Sequence, residues 1–326
     1  MSIFLSNLKK NGLLDNIHMT VCNVGSRKIT NADDYASQGW QIFAPSLSIY
    51  GFDADEDACN AANDDIEARQ INWLEKHMPL ALGKAIEDRT LYVTKHPMCS
   101  SLYPPNEAYL SRMAILPELA SLDFCFEIET TTLDHFFQEE GINDIDFLQI
   151  DVQGADLDVL QGATQILSAG VLAIQIEIEF SHLYKDQPLF ADIDTFLRAN
   201  GFTLFDIDVS KAHATRARSP IKSAARGGQL LWGDAFYFRD LIREDVEMKL
   251  KSPEKILKLA CIADIMDFPD YTLELLEHLT LEYGEHAQYN FANVIIDSLA
   301  SFPQLSQQGI ENLAIVKNLK DYIIKN

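Results

Sequence analysis

Short runs of apolar residues alternate along the chain with segments in which apolar positions recur every three or four residues. The first pattern suits a buried strand and the second a helix lying on it. Together they predict an α/β fold with a mostly parallel sheet covered by helices. MTVCNVG (19–25) stops at Gly25, LSIYGFDAD (47–55) stops in acids, and MPLALG (78–83) stops at Gly83. IDFLQID (145–151) and VLAIQIEIEF (171–180) are the strongest strand patterns. TLYVTKH (90–96) and FCFEIETT (124–131) read as added hairpin strands. FTLFDID (202–208) and DAFYFRD (234–240) have a loop and no clear helix between them, which predicts an antiparallel pair at one end of the sheet.

Helical periodicity fills the gaps. Residues 156–168 put Leu157, Leu160, Thr164 and Leu167 on one face, with Gly170 as a stop and Asp156 and Asp158 as favourable first-turn acids. Residues 190–199 put Phe190, Ile193, Phe196 and Leu197 on one face. TTLDHFFQEEG offers Thr131 as N-cap and Gly141 as stop. Residues 1–18 read as a short amphipathic helix, with the lysines in the wrong order for a signal peptide. After Asp240 no strand pattern follows, and Pro253 and Pro269 mark helix starts. The chain is therefore divided into an N-terminal helix (1–18), an α/β domain (19–240) and an all-helical region of about four helices (241–326). Ile256, Leu257, Leu259, Ile262, Ile265 and Met266 are too many apolar residues for a free helix. They are expected to pack on the core or on a second copy, which could make a homo-oligomer.

Composition narrows the partners. The chain has 326 residues, 26 basic and 49 acidic, for a net charge of −23. That balance argues against nucleic acid and anionic membrane. No apolar run is long enough to predict a membrane span. The five cysteines are scattered without a CxxC, and the eight histidines show no ligand spacing. Free thiols, no metal site and a cytoplasmic setting are expected.

In an open α/β sheet, ligands bind beyond the carboxyl ends of the strands. Those ends carry Asn23, Gly25 and Ser26, then Asp53 and Asp55, then Ala81 and Leu82, then Asp151. Gly25 permits a tight turn and close approach to a ligand, and an acid after the second strand suits a ribose diol. A full G-x-G-x-x-G is absent, and Asp53 follows Gly25 by 28 residues, a looser spacing than the dinucleotide fingerprint. A nucleoside without a pyrophosphate needs fewer glycines, which favours S-adenosylmethionine over NAD. Glu177 and Glu179 share one face of a central strand, a costly placement unless they line a polar cleft. Asp151 could equally cap the next helix. The stretch 211–228 holds Lys211, Arg216, Arg218, Lys222 and Arg226 and no acid. It could close over an anionic acceptor or be a solvated loop.

TLDHFF, IDFLQIDVQGADLDVLQGA, IQIEIEFSHLY, FLRANGF and GFDAD together resemble the FkbM family of S-adenosylmethionine-dependent methyltransferases, across about residues 19–240. SSLYPPN, with Ser100 and Ser101, is similar to that family's serine-containing loop. The resemblance implies a class I methyltransferase fold, Rossmann-like, with seven strands in the order 3-2-1-4-5-7-6 and strand 7 antiparallel. It also implies O-methylation of sugar, glycan or other natural-product hydroxyls. By the family's geometry Asp151 would stand beside the transferable methyl, where it could favour the cation, orient the acceptor or take its proton. Two departures are Asn23, where an acid is common, and a turn pared to Gly25 alone.

The resulting expectation assigns the cofactor to Asn23, Gly25, Ser26, Asp53, Ala81, Leu82 and Asp151. It assigns chemistry to Asp151, Glu177 and Glu179, and the acceptor to Ser100, Ser101, His182, Arg216 and Arg218. The competing readings are a non-catalytic cofactor-binding scaffold on the same fold and a nicotinamide-dependent oxidoreductase.

Overall fold

The central sheet has seven strands: β1 (Met19–Val24), β2 (Leu47–Asp53), β3 (Leu74–Pro79), β7 (Phe147–Ile150), β8 (Ala173–Glu179), β9 (Thr203–Asp208) and β12 (Trp232–Phe238). The computed structural model describes residues 2–28, 39–142, 144–244 and 250–324. The sheet order is β3-β2-β1-β7-β8-β12-β9, which is 3-2-1-4-5-7-6 when its own strands are counted along the chain. β12 runs antiparallel to β8 and β9, and the other pairs are parallel. This is the class I methyltransferase sheet. The hairpin strands β5 (Glu87–Thr94) and β6 (Leu122–Thr131) join a two-residue strand, β4 (Ala81–Leu82), in a separate sheet. The strands β10 (His213–Ala214) and β11 (Gln229–Leu230) pair across the basic stretch.

The helices are α1 (Leu5–Lys10), α2 (Glu56–Arg69), the short α3 (Glu107–Leu110) and α4 (Leu116–Ala120), α5 (Leu133–Glu139), α6 (Asp156–Gln161), α7 (Thr164–Ala169) and α8 (Phe190–Ala199). After the sheet come α9 (Pro253–Ile265), α10 (Pro269–Tyr283), α11 (Ala292–Ala300), α12 (Pro303–Gln308) and α13 (Ala314–Asn318). Side chains of a strand alternate between faces, and each sheet face has its own apolar cluster. Met19, Val21, Phe147 and Phe238 point to a cluster completed by α1 and by α9 to α11. Cys22, Val24, Leu148, Ile150 and Tyr237 point to the other, completed by α5 to α8. A central parallel strand is therefore packed on both sides, which is why β1 and β7 are rich in apolar residues, with Thr20, Asn23 and Gln149 among them.

The C-terminal helices thus form one of the two layers on the sheet. Ile256, Leu257, Leu259 and Ile262 are buried within this chain's own core. Two buried polar ties reinforce the layer. Lys258 on α9 bonds Asp146 just before β7. The Asp264 carboxylate accepts from the backbone N–H groups of Ile3, Phe4 and Leu5 at 2.8–2.9 Å, satisfying the N-terminal donors of α1.

Several boundaries differ from expectation, the N-terminal helix spanning Leu5–Lys10 rather than 1–18. The third strand is Leu74–Pro79, not 78–83, because the buried Glu75 and His77 masked its alternation. The helix expected over 156–168 is broken at Gly162, whose carbonyl accepts from Asp134 N at 3.0 Å. A Cβ at Gly162 would lie 2.2 Å from the Gly83 carbonyl oxygen, so the break lets two backbones pass. The cap of α5 is Thr132 rather than Thr131, its hydroxyl accepting from His135 N at 3.1 Å.

Candidate active site

A cavity of about 460 Å³ opens beyond the carboxyl ends of β1, β2 and β7, under the β5–β6 hairpin. Gly25, Asp53, Ala81, Leu82, Ser100, Ser101 and Asp151 line it, as does Gln153, which sequence reasoning passed over. Asn23, Ser26, Glu177, Glu179, His182, Arg216 and Arg218 do not line it.

The turn after β1 explains two of those absences. Gly25 has φ of 84°, and a Cβ there would stand 1.9 Å from the Asp151 carbonyl oxygen. No other residue fits, and the bare backbone leaves the cavity floor open. The N–H groups of Gly25 and Ser26 both donate to Phe52 O, at 2.8 and 2.9 Å. The Ser26 hydroxyl turns away from the cavity and pairs with His77 Nδ1 at 2.9 Å. His77 Nε2 lies 3.3 Å from Glu75, which Lys28 and Trp73 also contact. Burial alone would raise the Glu75 carboxyl, but bonds from His77 and Lys28 outweigh it and hold it at about 2. Ser26 therefore braces the turn. Asn23 is buried with its Oδ1 unpartnered among the described residues.

Asp151 is not a helix cap. The N-cap of α6 is Ala155, with no side-chain cap, and the fully buried Asp156 closes the turn before the helix by accepting from Val152 N at 3.1 Å and Gly154 N at 2.9 Å. Burial, with the nearby Asp151 charge, pushes the Asp156 carboxyl up to about 7. Its neighbour Asp158 accepts from Arg89 and from the Tyr103 hydroxyl, tying the hairpin to α6. Both acids, read in the sequence as first-turn charges, have specific partners, local ones for Asp156 and tertiary ones for Asp158.

The Asp151 carboxylate is instead held by a side chain. Gln153 Nε2 donates to Asp151 Oδ1 at 2.7 Å and to Glu177 Oε2 at 2.6 Å, while Gln153 Oε1 lies 3.0 Å from the Tyr184 hydroxyl. Gln153 adopts φ of 56°, a left-handed backbone that costs a non-glycine residue of order 1 kcal/mol and persists where its surroundings over-determine it. Burial raises the Asp151 carboxyl, and burial with the Asp151 charge raises Glu177 well above the usual carboxylate range. The arrangement suits one proton held on Glu177 and a negative charge facing the cavity on Asp151.

Glu179 is buried with Oε2 unpartnered among the described residues, and burial raises its carboxyl as well. Across the sheet, Glu177 stands opposite Asp234, whose carboxyl burial pushes to about 6. His182 is exposed, and its carbonyl accepts from Asn106. Arg216 reaches Met113 and Gln229, on the side of the molecule held by Tyr109 and Ser181. The acceptor residues expected from sequence thus fall into two groups. Ser100 and Ser101 lie in the cavity, and the basic stretch lies outside it.

A family model described as the methyltransferase FkbM domain matches residues 26–204. The chain belongs to the FkbM methyltransferase family. No curated protein matches it. Among solved structures it is similar to an FkbM methyltransferase from Methylobacillus flagellatus KT, with 10% identity over 68% of this chain and 43% of that one, TM-score 0.38. It is also similar to a magnesium protoporphyrin IX methyltransferase from Synechocystis PCC 6803 with bound SAM, with 12% identity over 72% of this chain and 76% of that one, TM-score 0.34.

The cofactor of the FkbM family is S-adenosylmethionine, and the cavity fits it. Asp53, Asp55, Glu56, Asp57 and Asp151 line the cavity. Arg27, the cation among its lining residues, is paired with Asp55. Such a field favours a cationic sulfonium and opposes a pyrophosphate. Asp53 Oδ1 accepts from Asp55 N at 2.9 Å, which leaves Oδ2 able to accept from a ribose hydroxyl.

Proposed function

We propose that this FkbM-family methyltransferase transfers a methyl group from S-adenosylmethionine to a hydroxyl of a sugar, glycan or glycosylated metabolite. The observation that carries the reading is the Gln153 amide bridging Asp151 and Glu177 in the wall of a cavity that Gly25 and Asp53 also line. Asp53 would hold the ribose, Ala81 and Leu82 the adenine edge, and Gly25 the methionine end. Bound there, the cofactor would supply an electrophilic methyl that bonds to the acceptor oxygen as its C–S bond breaks, leaving S-adenosylhomocysteine and one proton to place. Asp151 is the group nearest that need. Its carboxylate can accept the hydroxyl proton late in the transfer, and Gln153 keeps it aimed. Glu177, holding its own proton, keeps a second negative charge from building beside Asp151.

A cytoplasmic setting agrees with five cysteines that are all free. No helix among the described residues is long and apolar enough to cross a membrane. Calorimetric titration with S-adenosylmethionine, S-adenosylhomocysteine and NAD tests the cofactor assignment, and binding of NAD alone would overturn it. Release of S-adenosylhomocysteine on adding candidate glycosides then tests the transfer.

A further inference from the structure

One wall of the cavity has a character that sugar recognition does not explain. Phe124 and Phe126 stand on one face of β6, directly across from Val93 and Leu91 on β5. All four side chains line the cavity, together with Met98. Phe124 is 53% exposed, Phe126 44% and Met98 38%. The two phenyl rings lie 6.1 Å apart with planes 23° from parallel, making a flat apolar shelf. Single exposed apolar residues are ordinary, but a contiguous group beside convergent polar groups is the mark of a ligand wall.

The cavity's acids and Gln153 lie elsewhere on its lining, and the two serines of the neighbouring segment already accept backbone bonds. The Ser101 hydroxyl accepts from Tyr103 N at 3.0 Å and the Ser100 hydroxyl from Thr94 N at 3.3 Å. Arg27 is committed to Asp55. Sugar hydroxyls laid against these five apolar side chains would lose hydration and find no partner on them, and an anion would meet the acids of the cavity, where Arg27 is already paired. Resting on the methyltransferase reading above, we infer that the acceptor is an uncharged amphiphile. Its hydroxyl-bearing end meets Asp151 and Gln153, and its apolar part, such as an alkyl or aryl aglycone, lies along Leu91, Val93, Phe124 and Phe126.

The test uses the full chain and the uncharged fluorophore N-phenyl-1-naphthylamine, with and without S-adenosylhomocysteine. Its fluorescence should rise saturably on adding protein. n-Octyl β-D-glucoside, kept below its micelle concentration, should displace it, and methyl β-D-glucoside should not. The Phe124→Ser/Phe126→Ser variant should bind the probe about tenfold more weakly or worse, with S-adenosylhomocysteine affinity unchanged by calorimetry. Met98→Ser, which leaves the hairpin sheet intact, should act in the same direction. Equal displacement by both glucosides, wild-type probe binding by the double variant, or competition between probe and S-adenosylhomocysteine would each overturn the inference. So would a dimer that the double substitution dissolves, since a second copy would then cover the shelf. Because the probe can be read without cofactor, failure to bind S-adenosylhomocysteine would sink the methyltransferase reading while leaving this measurement interpretable.

Discussion

Lys258 Nζ lies 3.0 Å from Asp146 Oδ1 and 3.1 Å from Oδ2, with both side chains buried. Asp146 Oδ2 also accepts from Thr20 N at 2.8 Å, and its backbone carbonyl accepts from Leu172 N at 2.9 Å. One residue therefore ties α9 to β1 and to the segment entering β8. Lys258→Met should cost about 3–5 kcal/mol in urea unfolding, because it leaves a buried charge alone. Adding Asp146→Asn should recover part of that loss, since asparagine still accepts from Thr20 N. A double variant as unstable as the single would show that the ion pair is not the cause.

Asp151→Asn should lower kcat by about 10²–10⁴-fold and leave S-adenosylmethionine affinity largely unchanged. The carboxylate is the active form and burial raises its pKa. Wild-type kcat should therefore climb with pH through a value above the ordinary carboxylate range, and the variant should lose that limb. Full turnover by Asp151→Asn on an identified acceptor would remove Asp151 from the chemistry.

Asp53→Ala should weaken S-adenosylmethionine binding by about tenfold or more, the usual cost of a charged hydrogen-bond acceptor being about 1.5–3 kcal/mol. Calorimetry reads this directly, and unchanged affinity would reassign the ribose site.

Gly51→Ala tests the brace beneath the turn. A Cβ at Gly51 would stand 2.3 Å from His77 Nδ1 and 2.7 Å from Ser26 Oγ, so the ring must leave Ser26. Destabilisation of about 1–3 kcal/mol should come with weaker cofactor binding. Ser26→Ala, which removes one hydrogen bond and adds no bulk, should cost about 0.5–1.5 kcal/mol. Equal effects in thermal melts and titrations would argue that His77 does not position the turn.

Glu179→Gln should stabilise the protein in a pH-dependent way. The folded chain raises the Glu179 carboxyl, chiefly by burial, so its contribution to stability is full below the unfolded pKa. That contribution fades as pH climbs through the raised value. Wild-type and variant Tm should agree in acid and diverge toward alkaline pH, with the variant higher. Asp156, at about 7, adds a slope common to both proteins. Parallel curves would mean that folding does not raise the Glu179 carboxyl, because the fold supplies its carboxylate with a partner.

Much of this architecture is legible in the chain itself. The short, apolar-rich IDFLQID reads as a buried strand from its length and the glycine turn that follows, and the lack of a helix between 202–208 and 234–240 marks the antiparallel end. Strand β3 was harder, because its alternation is carried by Glu75 and His77, buried polar residues whose partners Lys28, Trp73 and Ser26 come from elsewhere. The same limit hid Gln153. Nothing local distinguishes a glutamine in a turn from one whose amide bridges carboxylates on two strands. Its neighbour Gly154 was the available signal, since φ is positive at both positions. The basic stretch shows a related limit. Its charge was plain, but its distance from the cavity depends on the β10–β11 pairing, which leaves no mark in composition.

The Asp264 carboxylate grips the N–H groups of residues 3–5 across a sequence separation of 259 to 261 residues. Such long-range closure is entropically slow to form. During synthesis at about 5–20 residues per second, the first helix must wait roughly 13–50 s for its partner to be made. Met19 and Val21 spend that interval with one face of their strand uncovered. That face of the sheet therefore stays uncovered until α9 emerges, and a truncation that stops before α9 leaves it so.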